Sequence, residues 1–168
     1  SSLNFSFSFP IISVSGTNGK GSVCAILESI LSHAGYRVGC YTSPHLLRYN
    51  ERVRIDQKEA GDDELCEAFK IIEAARVNSN VPLTYFEFGT LAAMELIAKA
   101  EVDIAILEVG LGGRLDAVNI FDAECAVLTN IDYDHMEYLG DTREKIGFEK
   151  AGIFRSGKTA ICSDISPP

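Results

Sequence analysis

The sequence lacks a surplus of positive charge, because 15 lysines and arginines stand against 24 aspartates and glutamates and the formal net charge is −9. A chain without a positive field attracts neither phosphate backbones nor anionic membrane surfaces, so neither nucleic acid nor membrane is an expected partner. The sequence also lacks the run of about 18 apolar residues that a membrane-spanning helix needs. Residues 1–10 carry no basic segment followed by a continuous apolar one, so we predict no secretory signal and expect a cytoplasmic protein.

A disulfide framework is also missing. The cysteines are odd in number and widely spaced, without a CxxC pair, and they are Cys24, Cys40, Cys66, Cys125 and Cys162. This usage indicates a reducing compartment, and the thiols are predicted to be small core residues. With 168 residues, 46% apolar and 23% charged, the chain is predicted to fold as one globular domain without repeats or low-complexity linkers.

Short apolar strands alternate with helical patterns along the chain. Strands are predicted at residues 11–14, 37–41, 52–55, 104–107, 125–131 and 159–162. Helices are predicted up to Ala34 with Gly35 as cap, from an N-cap at Asp62 to about Val77, from a Thr84–Glu87 capping box to about Ala100, and near Asp141 and Glu144. Apolar strands without alternation predict an α/β fold, a mostly parallel sheet covered by helices on both faces.

A glycine-rich loop joins the first strand to the first helix. Its residues are Gly16, Thr17, Asn18, Gly19, Lys20, Gly21 and Ser22. Backbone N–H groups and a helix N-terminus at such a loop cradle phosphates, and the lysine reaches the outer ones. The match to GxxxxGK[ST] is imperfect, because Val14 replaces the first glycine and Gly21 is inserted after the lysine. The alternative interpretation is a glycine-rich turn with an exposed lysine.

Polar residues follow several of the predicted strands. They are Ser43 and His45, then Glu108, and then Asp132, Asp134 and His135. Ligands of open parallel sheets bind beyond the carboxyl ends of the strands, so these residues are expected beside the phosphate loop. Each one alone could be a turn, cap or exposed loop residue. Together they offer the oxygen atoms and imidazole that Mg²⁺ or Mn²⁺ uses beside a triphosphate.

Three further groups have open interpretations. The glycine-dense turn at residues 110–116 either lets the backbone approach a substrate or only turns sharply. The aromatic residues near the start of one helix are interpreted as core rather than ligand platform, and they are Tyr85, Phe86 and Phe88. The arginines Arg48, Arg52 and Arg54 are interpreted as the solvated face of a strand.

Several segments together resemble the bacterial folylpolyglutamate synthase/dihydrofolate synthase family, a branch of the Mur ligases. They read SGTNGKGS, YTSPHLLRYNERVRI, LTYFEFGTLAAMELI, ILEVGLGGRLDAVNI, DHMEYLGDT and EKAGIFRSGK. Gly21 between the lysine and Ser22, together with TSPHL, favours the folate branch. The resemblance implies a P-loop NTPase-like domain of the Mur ligase central type over residues 11–168, apparently truncated. It also implies a poorly ordered leader over residues 1–10 and an absent C-terminal ligase domain.

The activity that this resemblance implies is ATP-dependent formation of an amide between a pteroate or folate carboxylate and L-glutamate. The γ-phosphate passes to the carboxylate, and the amino group of glutamate attacks the acyl phosphate. The implied ligands are ATP, two Mg²⁺ ions, dihydropteroate or reduced folate, and glutamate, and a monomer is expected. The alternatives are a nucleotide-binding module without turnover, or a Mur-type ligase acting on another carboxylate such as a cell-wall precursor.

The resemblance also implies roles for individual residues. The loop from Gly16 to Ser22 would hold the triphosphate, and Lys20 would neutralise the transferring phosphoryl group. Metal ions would be bound by Ser43, Glu108 and His135, and by Lys150 if this lysine is carbamylated. The implied catalytic set is Lys20, His135 and Lys150, and Phe86 and Asp116 would bind the pterin. The alternative for Lys150 is a surface lysine in a helix.

Overall fold

A computed structural model describes residues 8–168. Residues 1–7 of the leader predicted over residues 1–10 therefore lie outside the described residues. One seven-stranded sheet organises the fold. Its strands are β1 (Ile11–Ser15), β2 (Val38–Tyr41), β3 (Val53–Ile55), β4 (Lys58–Glu59), β5 (Ile104–Glu108), β6 (Cys125–Leu128) and β7 (Thr159–Cys162). They are ordered β4-β3-β2-β5-β1-β6-β7, with the five from β2 to β7 parallel and β3 and β4 antiparallel at one edge. The predicted α/β class with a mostly parallel sheet is confirmed.

The helices connect these strands. They are α1 (Lys20–His33), α2 (Asp62–Ser79), α3 (Tyr85–Lys99), α4 (Met136–Leu139) and α5 (Arg143–Ala151), with 3-10 helices at Tyr49–Arg52 and Ala117–Ile120. Within residues 8–168, none of the helices has the length and apolar character needed to cross a membrane.

Helices cover both faces of the sheet, as predicted. Val14, Cys40 and Ile106 point to one face and pack with Cys24 of α1. The neighbouring strand residues, such as Leu107, point to the other face and pack against α2 and α3. Since both faces of β5 are buried, its side chains need no polar alternation, which explains its continuous apolar sequence.

Some local predictions were wrong at the ends of elements. The N-cap of α2 is Gly61, whose N–H donates to Glu64, and Asp62 is already the first helical residue. The helix start predicted near Asp141 and Glu144 is confirmed: α5 begins at Arg143, and the Thr142 hydroxyl caps it by accepting the N–H of Lys145. The strand predicted at 125–131 ends at Leu128, where the chain leaves the sheet.

The capping box and the helix-ending glycine are confirmed. Thr84 accepts the N–H of Glu87 and donates its own N–H to the Glu87 carboxylate, which fixes the start of α3. Gly35 follows α1 with φ 92°. The prediction for the cysteines holds only in part, because Cys24 and Cys40 are buried whereas Cys66 and Cys162 are exposed and Cys125 is half-buried.

Candidate functional site

The phosphate loop closes directly onto the N-terminus of α1. Gly19 adopts φ 81° as the N-cap, so Lys20, Gly21 and Ser22 form the first turn of the helix, where backbone N–H groups lack partners within the helix. The Lys20 ammonium lies over the loop and donates to the carbonyl of Gly16 at 2.9 Å. This arrangement presents amide dipoles and one cation to the same space, as an anion site requires.

The segment that follows β6 holds this loop in place. Thr129 donates its hydroxyl to the carbonyl of Asn18 at 2.6 Å, and the Asn18 N–H donates to the Asn130 side chain at 2.8 Å. A Cβ on Gly16, which has φ 146°, would lie 1.8 Å from the Thr129 hydroxyl oxygen. Glycine therefore fits at this position, where a larger residue would displace Thr129, and hydrogen bonds join the segment after β6 to the phosphate loop.

A cavity of about 750 Å³ opens beside the phosphate loop, at the edge where the parallel strands end. Of the predicted site residues, Lys20, Ser43, Phe86, Asp116 and His135 line it. Its size is typical of a small-molecule site, and its lining combines aromatic, cationic and acidic side chains. The cavity therefore unites residues that are far apart in the sequence, as the rule for carboxyl ends of strands predicts.

Glu108 and Ser43 lie together at the ends of neighbouring strands. The Ser43 N–H donates to Glu108 Oε2 at 3.0 Å, and Glu108 is only 5% exposed. Burial raises the pKa of this carboxyl, while the Ser43 N–H and the nearby Lys20 oppose that shift. A cation bound here would compensate the buried carboxylate.

His135 reaches the cavity from the loop after β6. It adopts φ 45° at the start of α4, and its Nε2 lies 3.6 Å from a carboxylate oxygen of Asp134. No group of three or more His, Cys, Asp and Glu residues suited to a metal occurs within residues 8–168. The predicted ligand set contains Glu108 and His135 of these types, beside the Ser43 hydroxyl and Lys150 if this lysine is carbamylated. Mg²⁺ bound with a nucleotide needs few protein ligands because phosphate and water oxygens supply the others, so this donor set fits such an ion.

Lys150 is buried in α5, contrary to the alternative of a surface lysine. It is 2% exposed, and burial, together with the charge of Lys20, lowers its pKa to about 8, while Asp134 acts in the opposite direction. Neither Lys150 nor Glu108 lines the cavity itself. A buried amine of this kind gives up its proton more easily than an exposed lysine does.

Phe86 and Asp116 lie on the side of the cavity formed by the glycine-dense turn. The Phe86 ring packs over Gly110, where a Cβ would lie 2.6 Å from the ring, and its centroid is 6.0 Å from that of Tyr41. Asp116 accepts the N–H groups of Leu111 and of Val118, each at 2.9 Å, and burial raises its pKa. The glycines thus let the backbone approach both the aromatic ring and the cavity.

The interpretation of the arginines as a solvated strand face was wrong for two of the three. Arg52 is 8% exposed and lines the cavity, and Arg54 pairs with the buried Glu28 at 2.8 Å. Arg48 is exposed. Sequence reasoning missed Arg52 because it assigned this residue to a strand. In the structure Arg52 ends the 3-10 helix Tyr49–Arg52 and β3 begins only at Val53, so strand alternation does not apply to Arg52. The prediction of core aromatics also fails at Tyr85, which is 65% exposed.

Comparisons with known proteins identify the family and the fold of this chain. A family model described as "Mur ligase middle domain" matches residues 14–164. The dihydrofolate synthase/folylpolyglutamate synthase of Haemophilus influenzae is 54% identical over 158 residues, which are 94% of this chain and 36% of that protein. This chain therefore spans about a third of the length of that relative.

Solved structures show the same similarity. The Escherichia coli FolC structure in complex with DHPP and ADP is 55% identical, with a TM-score of 0.93 over 95% of this chain and 38% of that one. A bifunctional folylpolyglutamate synthase/dihydrofolate synthase with Mn, AMPPNP and L-glutamate bound is also 55% identical, with a TM-score of 0.90 over 95% of this chain and 39% of that one.

Proposed function

Because the chain belongs to the Mur ligase family, we propose that it forms the nucleotide-binding part of an ATP-dependent ligase that joins a pteroate or folate carboxylate to L-glutamate. The observation that carries this proposal is the single cavity lined by Lys20, Ser43, Phe86, Asp116 and His135 beside the phosphate loop. The cavity places a phosphate-binding cation and an aromatic surface within reach of one ligand. An enzyme that transfers a phosphoryl group to an aromatic acid needs this combination.

ATP binding is assigned to residues 16–22. The Lys20 ammonium, which donates to the Gly16 carbonyl at 2.9 Å, would turn to the phosphates and neutralise charge on the transferred group. Titration of Mg-ATP into this chain tests the assignment. Lys20→Ala should weaken binding by at least about tenfold, because a charge-assisted contact is lost, whereas the exposed Lys70→Ala serves as control. Equal affinities of wild type and Lys20→Ala would refute the loop assignment.

The proposed metal ligands are Ser43, Glu108 and His135, and two Mg²⁺ ions are proposed. Bound Mg²⁺ would supply positive charge to the phosphates. The chain's own contribution is to orient these ligands: the Ser43 N–H fixes Glu108, and the left-handed backbone of His135 directs its imidazole toward the cavity. A monomeric, cytoplasmic protein remains part of the proposal.

Lys150 is proposed to carry a carbamate. Its neutral amine would attack carbon dioxide, forming an N–C bond and releasing one proton to solvent, and the product would be an anionic oxygen ligand. The support is its 2% exposure and the pKa of about 8, which leaves part of the amine unprotonated. ¹³C NMR of the chain with ¹³C-bicarbonate should show a carbamate signal that Lys150→Met removes. The exposed Lys145→Met, on the same helix, should keep the signal. A spectrum unchanged by Lys150→Met would refute the modification.

The reaction itself is tested on the complete ligase of which this chain would be part. ADP release should require both a pteroate or folate substrate and L-glutamate. The proposed function would be contradicted if no ADP were released with either the pteroate or the folate substrate. It would also be contradicted if ADP release did not depend on glutamate. Phe86 is proposed to stack on the pterin ring, and Asp116 to accept hydrogen bonds from the ring's donor edge.

A further inference from the structure

Arg52 is a buried cation to which the described part of the chain offers no anionic partner. It is 8% exposed, yet it forms no ion pair with any carboxylate of residues 8–168. Residues 1–7 contain no aspartate or glutamate that could supply one. Buried charges are normally paired, because removing an unpaired charge from water is costly. Among the described residues, the guanidinium therefore has no carboxylate at ion-pair distance, although acidic side chains such as Asp116 line the same cavity.

Neutral groups hold this guanidinium in position. Its Nε donates to Nδ1 of His45 at 2.8 Å, and its central carbon lies 5.4 Å from the ring centroid of Tyr49 and 5.6 Å from that of Tyr85. Aromatic faces attract a cation but do not neutralise it. The backbone is fixed as well, because the Arg52 carbonyl accepts the N–H of Thr42 at 2.8 Å. These contacts hold the Arg52 side chain in one position, so it is preorganised for a ligand.

Arg52 lies where its charge can contact a ligand in the cavity. Arg52 lines the same cavity as Lys20, Phe86 and Asp116. Lys20 belongs to the phosphate loop, so the cavity holds a second cation that the nucleotide site does not account for. A planar guanidinium binds a carboxylate through parallel hydrogen bonds. Nε of Arg52 is bonded to His45, and a further hydrogen bond joins the side chain to the Tyr41 hydroxyl, so the remaining guanidinium N–H groups are the ones that can donate to a ligand.

We propose, on the premise of the proposed function, that Arg52 binds a carboxylate of the ligand that fills this cavity. The acid to be activated and the incoming amino acid both carry such a group. Binding through Arg52 would compensate the buried guanidinium and orient the carboxylate relative to the phosphate loop.

Calorimetric titration of the complete ligase of which this chain would be part, with matched charged and neutral ligands, tests the role of Arg52. The probes are pteroate, the primary amide of pteroate, and L-glutamate, each in the presence of Mg²⁺ and ADP. The variants are Arg52→Gln, Arg52→Lys, which keeps the charge, and the exposed Arg48→Gln as matched control. Thermal unfolding of each variant establishes that the compared proteins are folded.

Wild type should bind pteroate at least about tenfold more tightly than the amide, since hydrogen bonds to a charged group contribute on this scale. Arg52→Gln should remove this preference and leave the amide affinity within about twofold, whereas Arg52→Lys should keep part of the preference. If the carboxylate is that of the amino acid, Arg52→Gln should instead weaken L-glutamate binding by a similar factor. Arg48→Gln should change neither.

Two results would overturn the role of Arg52. One is an unchanged preference in Arg52→Gln together with unchanged glutamate binding. The other is an equal loss of affinity for pteroate and its amide, which a purely structural role would produce. Failure of wild type to bind either pterin compound has a different meaning, because it would refute the proposed function on which this role rests.

Discussion

Glu28 and Arg54 form a buried ion pair that ties α1 to β3, and its disruption allows a quantitative prediction. Their side chains are 6% and 22% exposed. Arg54 Nη2 and Nε approach Glu28 Oε2 at 2.8 and 2.9 Å. Arg54 also donates to the Thr42 hydroxyl at 3.2 Å, next to Ser43, so the pair supports the edge of the candidate site.

Glu28→Gln removes the negative charge and leaves the guanidinium in place. Loss of one partner of a buried pair costs about 3–5 kcal/mol. The lower end applies here, because Arg54 keeps some access to water and glutamine retains one acceptor oxygen. We therefore expect the free energy of unfolding to fall by about 3 kcal/mol. For a chain of this size, that loss lowers the melting temperature by about 6–12 °C.

Urea unfolding at pH 7 measures this loss against a matched control. Glu73→Gln breaks an exposed pair with Arg76 on α2, where the side chains are 49% and 35% exposed, and it should cost no more than about 0.5 kcal/mol. Replacing Glu28 and Arg54 together by methionine should recover most of the stability, because no unpaired charge remains. A loss for Glu28→Gln no larger than that for Glu73→Gln would refute the argument from burial.

Three further predictions concern the site. Gly16→Ala should weaken Mg-ATP binding by about tenfold or more, since the added Cβ meets the Thr129 hydroxyl and the positive φ is strained; unchanged calorimetric affinity would contradict this. Asn130→Ala, which removes the acceptor of a phosphate-loop amide, should cost about 1–2 kcal/mol of ATP binding, and a variant with wild-type affinity would argue against the clamp. Phe86→Leu should weaken pteroate binding by about two- to tenfold in fluorescence titration, whereas Phe88→Leu, outside the cavity lining, should not; equal effects would exclude specific stacking.

Local chemistry made much of the site predictable. The phosphate loop could be recognised because strand, glycines, lysine and helix are contiguous in the sequence. Ser43, Glu108 and His135 could be assigned to one edge because parallel strands end on the same side of a sheet, and Ser43 and His135 do line one cavity. The Thr84–Glu87 capping box was predictable from local sequence, since its hydrogen bonds join residues three apart.

Burial and partners of long polar side chains were decided only by the tertiary structure. The amino-acid sequence by itself determined most of the strands and helices along the chain, without β4 and α4, and several of the residues that come to the phosphate edge. It did not determine that Arg52 is enclosed by two tyrosines, that Arg54 pairs with Glu28, or that Lys150 lies buried near Lys20. These outcomes depend on contacts between distant segments, and a charged side chain changes its energy according to what covers it rather than according to its neighbours in the chain.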